Sequence, residues 1–319
     1  MTPATPSPAR PVGAVLLAAV LFGTAGTAQA LGPDATTPLG VGAARIVIGT
    51  AVLWLAVALA PRGPSWREVV ATVRTHRGLI VLGGVGVAVY TPAFLTAVDR
   101  TGVAVGTVVA VGMGPFFAGA LEWAWRGVAP ARGWVVGTTV TVIGATALVA
   151  AAQPPDAGGV DVLGLLLALG AGAGYALYSV TAKRTMSAGV TPTLALAAPF
   201  TVGAVVVALL AAGEPFGWAT TADGAVMALH LGVLATGAAY LLFGYGLHRL
   251  TSATTVTLVL AEPLTAALLG AVVLDEVLGV GGWAGVAVVL AGLTIVGRTA
   301  EVAIEPVPGD GPDRAQPSG

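Results

Sequence analysis

The stretch TLVLAEPLTAALLG, Thr257 to Gly270, is apolar except at its centre, where Glu262 stands directly before Pro263. The apolar character continues on both sides, over about the 20 residues that an α-helix needs to cross a bilayer. A carboxylate inside such a helix is costly. A proline there removes a backbone donor and crowds the carbonyl of Val259, four residues earlier. The pair therefore reads as a kinked membrane helix with an acid at its middle.

The rest of the chain agrees with a membrane setting. Of 319 residues, 56% are hydrophobic and only 9% charged, against about 25% charged in a soluble domain. No sustained alternation of apolar and polar residues marks the strands of a membrane barrel. The fold class is an all-α integral membrane protein. With no cysteines and three scattered histidines, disulfides, thiolate chemistry and a metal site are not expected. No cofactor is implied. No basic cluster with interleaved aromatics suggests nucleic acid.

Ten spans are expected, at 12–31, 39–60, 78–98, 102–122, 133–152, 161–182, 192–212, 224–247, 252–273 and 281–298. The Pro-rich start, residues 1–11, and the acidic end, 299–319, read as disordered tails. Arg10, an apolar stretch and Ala28-Gln29-Ala30 resemble a signal peptide, but the repeat below requires this helix. Loops on one side hold Arg10, Arg62, Arg67, Arg74, Arg77, Arg126, Arg132, Lys183, Arg184, Arg249 and Arg298, while those on the other hold Arg100 alone. Positive charge collects on the cytoplasmic side, which places both termini there.

The halves also match. TTPLGVGAAR (36–45) has a counterpart in VTPTLALAAP (190–199), Phe94 and Arg100 match Phe243 and Arg249, and Pro115, Gly137 and Gly144 match Pro263, Gly285 and Gly292. Five helices per half force opposite orientations, so residues 12–152 and 161–298 read as inverted repeats. That pattern belongs to alternating-access transporters with a midplane site.

The run GLHRLTSATTVTLVLAEPLTAALLGAVVLDEVLGVGGWAGVAVVLAGL (246–293), with GLLLALGAGAGYALYSVTAKR (164–184) and AARIVIGTAVL at Arg45, resembles the EamA type of the drug/metabolite transporter superfamily. The resemblance covers about residues 12–298. It implies ten helices in the cell membrane and movement of small organic solutes, often export of amino acids, metabolites or drugs. The implied partners are that solute and the lipid bilayer, with the chain a monomer or homodimer. One departure stands out: the first half lacks an acid matching Glu276, and Glu122 lies six residues early.

Few ionisable residues lie inside spans, and these carry the functional expectations. Glu262 has Gly114 as its repeat partner, so the carboxylate is no shared structural device. It could load and release a proton beside a backbone carbonyl freed by Pro263, or pair statically with Arg45. Arg45 suits a carboxylate through its planar fork, and could instead snorkel or neutralise Glu262. His230 suits a proton relay or plain packing. Tyr90, Tyr175, Tyr178 and Tyr240 lie near mid-span, where a hydroxyl needs a partner, with Tyr90 and Tyr240 the better cavity candidates. Thr24, Thr27 and Gln29 give the first span a polar side facing the same cavity. Pro92 and Pro115 add kinks. Six tryptophans, Trp66, Trp123, Trp125, Trp134, Trp218 and Trp283, sit near span ends like an aromatic belt, and Trp54 reads as a gate or a lipid-facing ring.

No catalytic pair of aspartates, or of Ser with His, is evident within the spans, and no phosphate-binding loop GxxxxGK[ST] occurs. An enzyme is therefore not expected. The expected function is secondary export, proton-coupled through Glu262. The alternative is a non-transporting membrane receptor or assembly protein.

Overall fold

A computed structural model of the chain describes residues 9–61, 63–127, 129–151, 161–275 and 277–300, apart from the side chains at 99, 102–105 and 108. Most of both expected tails, and Glu276, lie outside the described residues. Among the described residues the regular structure is helical throughout. Nine helical stretches there are long and apolar enough to cross a membrane.

Helix α1, Ala9–Ala30, is buried along one face, with Val15, Ala18 and Ala19 fully covered. Helix α2, Pro38–Leu59, opens on a proline whose missing N–H costs nothing in a first turn, and Thr37 caps the Gly40 N–H. A short amphipathic helix, α3 (Trp66–Thr75), follows where loop was expected.

The expected third and fourth spans lie within one helical run, α4, Arg77–Arg126. Straight, its 50 residues would extend about 75 Å, more than twice the hydrocarbon thickness. The run is not straight. A methyl on Gly106 would lie 2.9 Å from the Cα of Val98, eight residues back and about 12 Å away in a straight helix. The chain therefore doubles back between them. Helix α6, Val162–Ser187, packs on both arms: Gly174 lies against the Gly86 carbonyl, and Gly172 against that of Ala110. Pro92 and Pro115 both lie inside this run, so neither ends the helix.

Helix α5, Arg132–Ala151, packs antiparallel on α12, Val280–Thr299. A methyl on Gly137 would meet the backbone nitrogen of Val296 at 3.0 Å, and one on Gly144 that of Val289 at 2.5 Å. The reverse pairs are Gly285 with Leu148 at 2.6 Å and Gly292 with Thr141 at 2.5 Å. The register that equates Gly137 with Gly285 and Gly144 with Gly292 converts the first two contacts into the second two. This packing is two-fold symmetric.

Two of the remaining crossings are irregular. After α7, Pro192–Leu210, comes α8, Ala222–Leu229, then a π-helical stretch at His230–Ala238 that runs into α9, Ala239–Arg249. The Thr236 hydroxyl donates to the Leu231 carbonyl, five residues back, at 2.8 Å. Such wide turns recur at functional sites. The ninth expected span is broken into α10, Ser252–Leu258, and α11, Ala261–Val273.

The tryptophans divide. Trp66, Trp123 and Trp283 are exposed, as a belt requires. Trp134 and Trp218 are buried, which corrects that expectation. The Trp134 indole donates to Thr257 Oγ1 at 3.1 Å, and the Thr138 hydroxyl lies 3.0 Å from the same oxygen. A donor at the indole rim favours a partner once covered, and α10 supplies one to Trp134, whereas the Trp218 indole nitrogen has none among the described residues. Trp54 donates to Thr201 Oγ1 at 2.7 Å and joins α2 to α7.

Candidate functional site

The break between α10 and α11 is where Glu262 sits. The expected free carbonyl at Val259 is not free: the Glu262 N–H donates to it at 2.8 Å, and the Leu260 N–H donates to Thr257 O at 3.0 Å. A tight turn at Val259 and Leu260 replaces the kink and satisfies the group that Pro263 cannot reach. The break thus precedes the proline and puts Glu262 in the first turn of α11. Across from it, Gly23 of α1 lies against the Glu262 carbonyl and Thr265.

A cleft opens beside this region, lined by Arg45, Thr91, Phe200 and Thr236 together with Tyr90, Tyr178 and Tyr240. The space between its atoms is about 310 Å³ and continues into its open mouth. Its interior admits water-sized groups, so a larger solute requires the helices to part. The Tyr178 and Tyr240 hydroxyls are 2.7 Å apart. Tyr240 also packs edge-on against Phe22 and Phe200, at centroid distances of 5.0 and 4.4 Å. These rings fix the hydroxyl pair at the cleft wall. One hydroxyl donates to the other, so the acceptor keeps its own proton for a further partner. With the Arg45 guanidinium, the wall is rich in donors.

Tyr175 adjoins this set, with ring centroids 5.8 Å from Tyr90 and 5.3 Å from Tyr178. Its hydroxyl is buried without a hydrogen-bond partner among the described residues. Its ring covers Gly114, the residue that the sequence register sets against Glu262. A ring from α6 therefore lies over the glycine at the position where the ninth expected span holds an acid.

Glu262 does not line the cleft, but Arg45 lies within electrostatic range of it, as Glu262 does of Tyr90. No salt bridge joins Glu262 to Arg45 among the described residues; those found there are Arg100–Asp161 and Arg126–Glu122.

Two expected members lie elsewhere. His230 Nε2 is 2.8 Å from the Thr24 hydroxyl, tying the start of the π-helical stretch to α1. Gln29 is exposed, and its amide donates to the Ala25 carbonyl of its own helix at 3.2 Å. Gln29 is thus no cavity residue: it lies in the last turn of α1, where its side chain folds back on the helix. Thr91 and Thr236 were not expected at the site. Thr91, next to Tyr90, carried a signal in its polar character; the π stretch that presents Thr236 left none.

Outside the membrane helices, Asp161 caps α6 by accepting the Gly164 N–H at 2.8 Å and receives two hydrogen bonds from Arg100, at 2.9 and 3.2 Å. The Arg100 guanidinium, then the backbone donor, hold its carboxyl below the usual range.

A multi-pass helical membrane protein with a donor-lined internal cleft beside a broken helix is the class that fold and site define. The sequence matches the EamA-like transporter family over residues 10–150 and again over 162–298, and the chain belongs to that family. It is 38% identical over 299 residues to the uncharacterized transporter YwfM of Bacillus subtilis (strain 168), covering 91% of this chain and 96% of the relative. A solved crystal structure of a protein superposes with a TM-score of 0.72 at 21% identity, covering 91% of this chain and 98% of that one, which extends the likeness to the fold. The chain is a membrane transporter of small solutes and a multi-pass protein of the cell membrane.

Proposed function

We propose that the chain is a secondary transporter that exports small organic solutes, amino acids or related metabolites or drugs, by alternating access. The observation that carries this reading is the convergence of Arg45 with the Tyr178–Tyr240 hydroxyl pair on one cleft, within electrostatic range of Glu262. Arg45 and the spare tyrosine proton bind an acidic group of the solute. Glu262, at the helix break, carries the coupled proton.

In this reading ten crossings form two inverted five-helix repeats, residues 12–152 and 161–298, with both termini cytoplasmic. The doubling back of α4 and the two-fold α5–α12 packing support it. So does the gathering of basic residues at one end of the bundle. There the Arg184 guanidinium lies 4.3 Å from the Trp125 ring centre, and the Lys183 amine donates to the His248 carbonyl at 2.9 Å. The chain has no cysteine of its own, so single cysteines at positions 36 and 130 report sidedness cleanly: 36 should label from outside and 130 from inside.

The functional test is flux in proteoliposomes with and without a pH gradient. Glu262→Gln should abolish gradient-driven flux and leave solute exchange at equal pH. Full gradient-driven flux in Glu262→Gln would remove the coupling role.

A further inference from the structure

Helix α3, Trp66–Thr75, lies between two membrane helices. Its start is fixed by a capping box: the Ser65 N–H donates to Glu68 Oε2 at 2.6 Å, and the Glu68 N–H donates to Ser65 Oγ at 3.4 Å. Glu68, its only acid, is thereby committed to the cap.

The faces of α3 differ in what they meet. Val69 is buried, and Val73, four residues on, packs against the same core. Trp66 and Val70, again four apart, form the next strip, and the Trp66 ring is 72% exposed. Arg67 and Arg74 are seven residues apart, which aligns them to within about 20° on a helix. Both are exposed, on the flank of the Trp66–Val70 strip. Glu68 and Thr75 lie further round. Protein, indole, guanidinium and water thus follow one another around a single short helix. That is the order of a bilayer surface crossed from its apolar edge to the aqueous phase.

We propose that α3 binds the phosphodiester headgroup of an anionic phospholipid of the surrounding bilayer. The charge is complementary: two aligned guanidinium groups, with Arg77 exposed at the start of α4, against an anionic lipid with a phosphate for a bidentate fork. The exposed indole selects lipid over free phosphate. Indole rings settle at headgroup depth, whereas a free anion in water gains nothing from Trp66.

The test is native mass spectrometry of the full chain released from micelles holding phosphatidylglycerol and phosphatidylcholine. The wild type should retain phosphatidylglycerol preferentially. Arg67→Gln with Arg74→Gln should weaken that retention about twenty-fivefold, at about fivefold per arginine. Trp66→Ala should weaken it independently, and millimolar inorganic phosphate should leave the wild-type complex intact. All three substituted positions are exposed, and circular dichroism checks that helicity is unchanged. An unaltered lipid preference in the double arginine variant overturns the proposal. So does displacement by inorganic phosphate together with a neutral Trp66→Ala, which would mark a bare anion site.

Discussion

The hydroxyls of Tyr178 in α6 and Tyr240 in α9 lie 2.7 Å apart, in direct hydrogen-bond contact. Both rings are buried, Tyr178 almost completely. The pair joins α6 to α9 and leaves one phenolic proton free for a partner at the cleft that Arg45 lines. In the proposed reading, structure and binding depend on the same two oxygen atoms.

That dependence predicts non-additivity. Tyr178→Phe alone leaves the Tyr240 hydroxyl buried without this partner, at a cost of about 1–3 kcal/mol. Tyr240→Phe should cost a similar amount. The double variant removes both polar atoms and should be more stable than the summed single losses imply. Thermal unfolding of the four proteins in one detergent closes the cycle. Strict additivity would mean that the two hydroxyls do not interact.

Arg45 should discriminate by fork geometry and not by charge alone. Arg45→Lys keeps the charge and loses the bidentate donor set. Half-saturating solute concentration should rise about tenfold or more in Arg45→Lys, about 1.4 kcal/mol of binding. Arg45→Gln should be weaker still. Equal concentration dependence for wild type and Arg45→Lys in liposome flux would exclude a planar contact to the solute.

The α5–α12 packing gives a test of the repeat that needs no transport assay. Gly144→Ala and Gly292→Ala each push a methyl to 2.5 Å from a backbone nitrogen of the facing helix. Overpacking of this kind costs about 1–3 kcal/mol. The symmetric geometry predicts similar falls in melting temperature for the two variants. Gly170→Ala, where a methyl would meet nothing within 4 Å, is the control and should be neutral or slightly stabilising. A large effect at only one of Gly144 and Gly292 would contradict the two-fold contact.

The membrane class was legible because run length and charge are local properties. Arg45, Tyr90, Tyr178 and Tyr240 were legible because polar atoms in apolar runs demand partners. What failed was orientation. Gln29 is as polar as Tyr90, yet it lies at the exposed end of α1, and helix rotation in a bundle is set by neighbours rather than by the helix's own residues. Trp134 and Trp218 turned inward for the same reason. The π stretch at His230–Ala238 is a change of hydrogen-bond partner and leaves no compositional trace. The break at Val259 was misplaced because Pro263 announces an interruption without saying whether the chain bends or restarts. Helix α3 was hidden by its arginines, which read as loop charge, although Ser65 and Glu68 carry the spacing of the capping box that starts it.

The Arg100–Asp161 pair should show a pH dependence whose sign follows from the geometry. Hydrogen bonds from Arg100 and the Gly164 N–H hold the Asp161 carboxyl below its ordinary value, about 3.9 in an unfolded chain. A carboxyl depressed in the folded state contributes stability that is complete above the unfolded value and is lost as pH falls through the folded one. Asp161→Asn separates the two partners, because asparagine caps a helix about as well as aspartate but carries no charge. At pH 7 and low salt the wild type should melt slightly above Asp161→Asn. The margin is small because the pair's side chains are 40% and 31% exposed, and exposed pairs contribute little. Below about pH 4 the margin should shrink as Asp161 protonates. At pH 7 it should also shrink in high salt, where the Debye length falls to about 3 Å at 1 M. A margin that stays constant from pH 7 to pH 3 would show that Asp161 acts as a cap alone and that Arg100 adds nothing to the joint between α4 and α6.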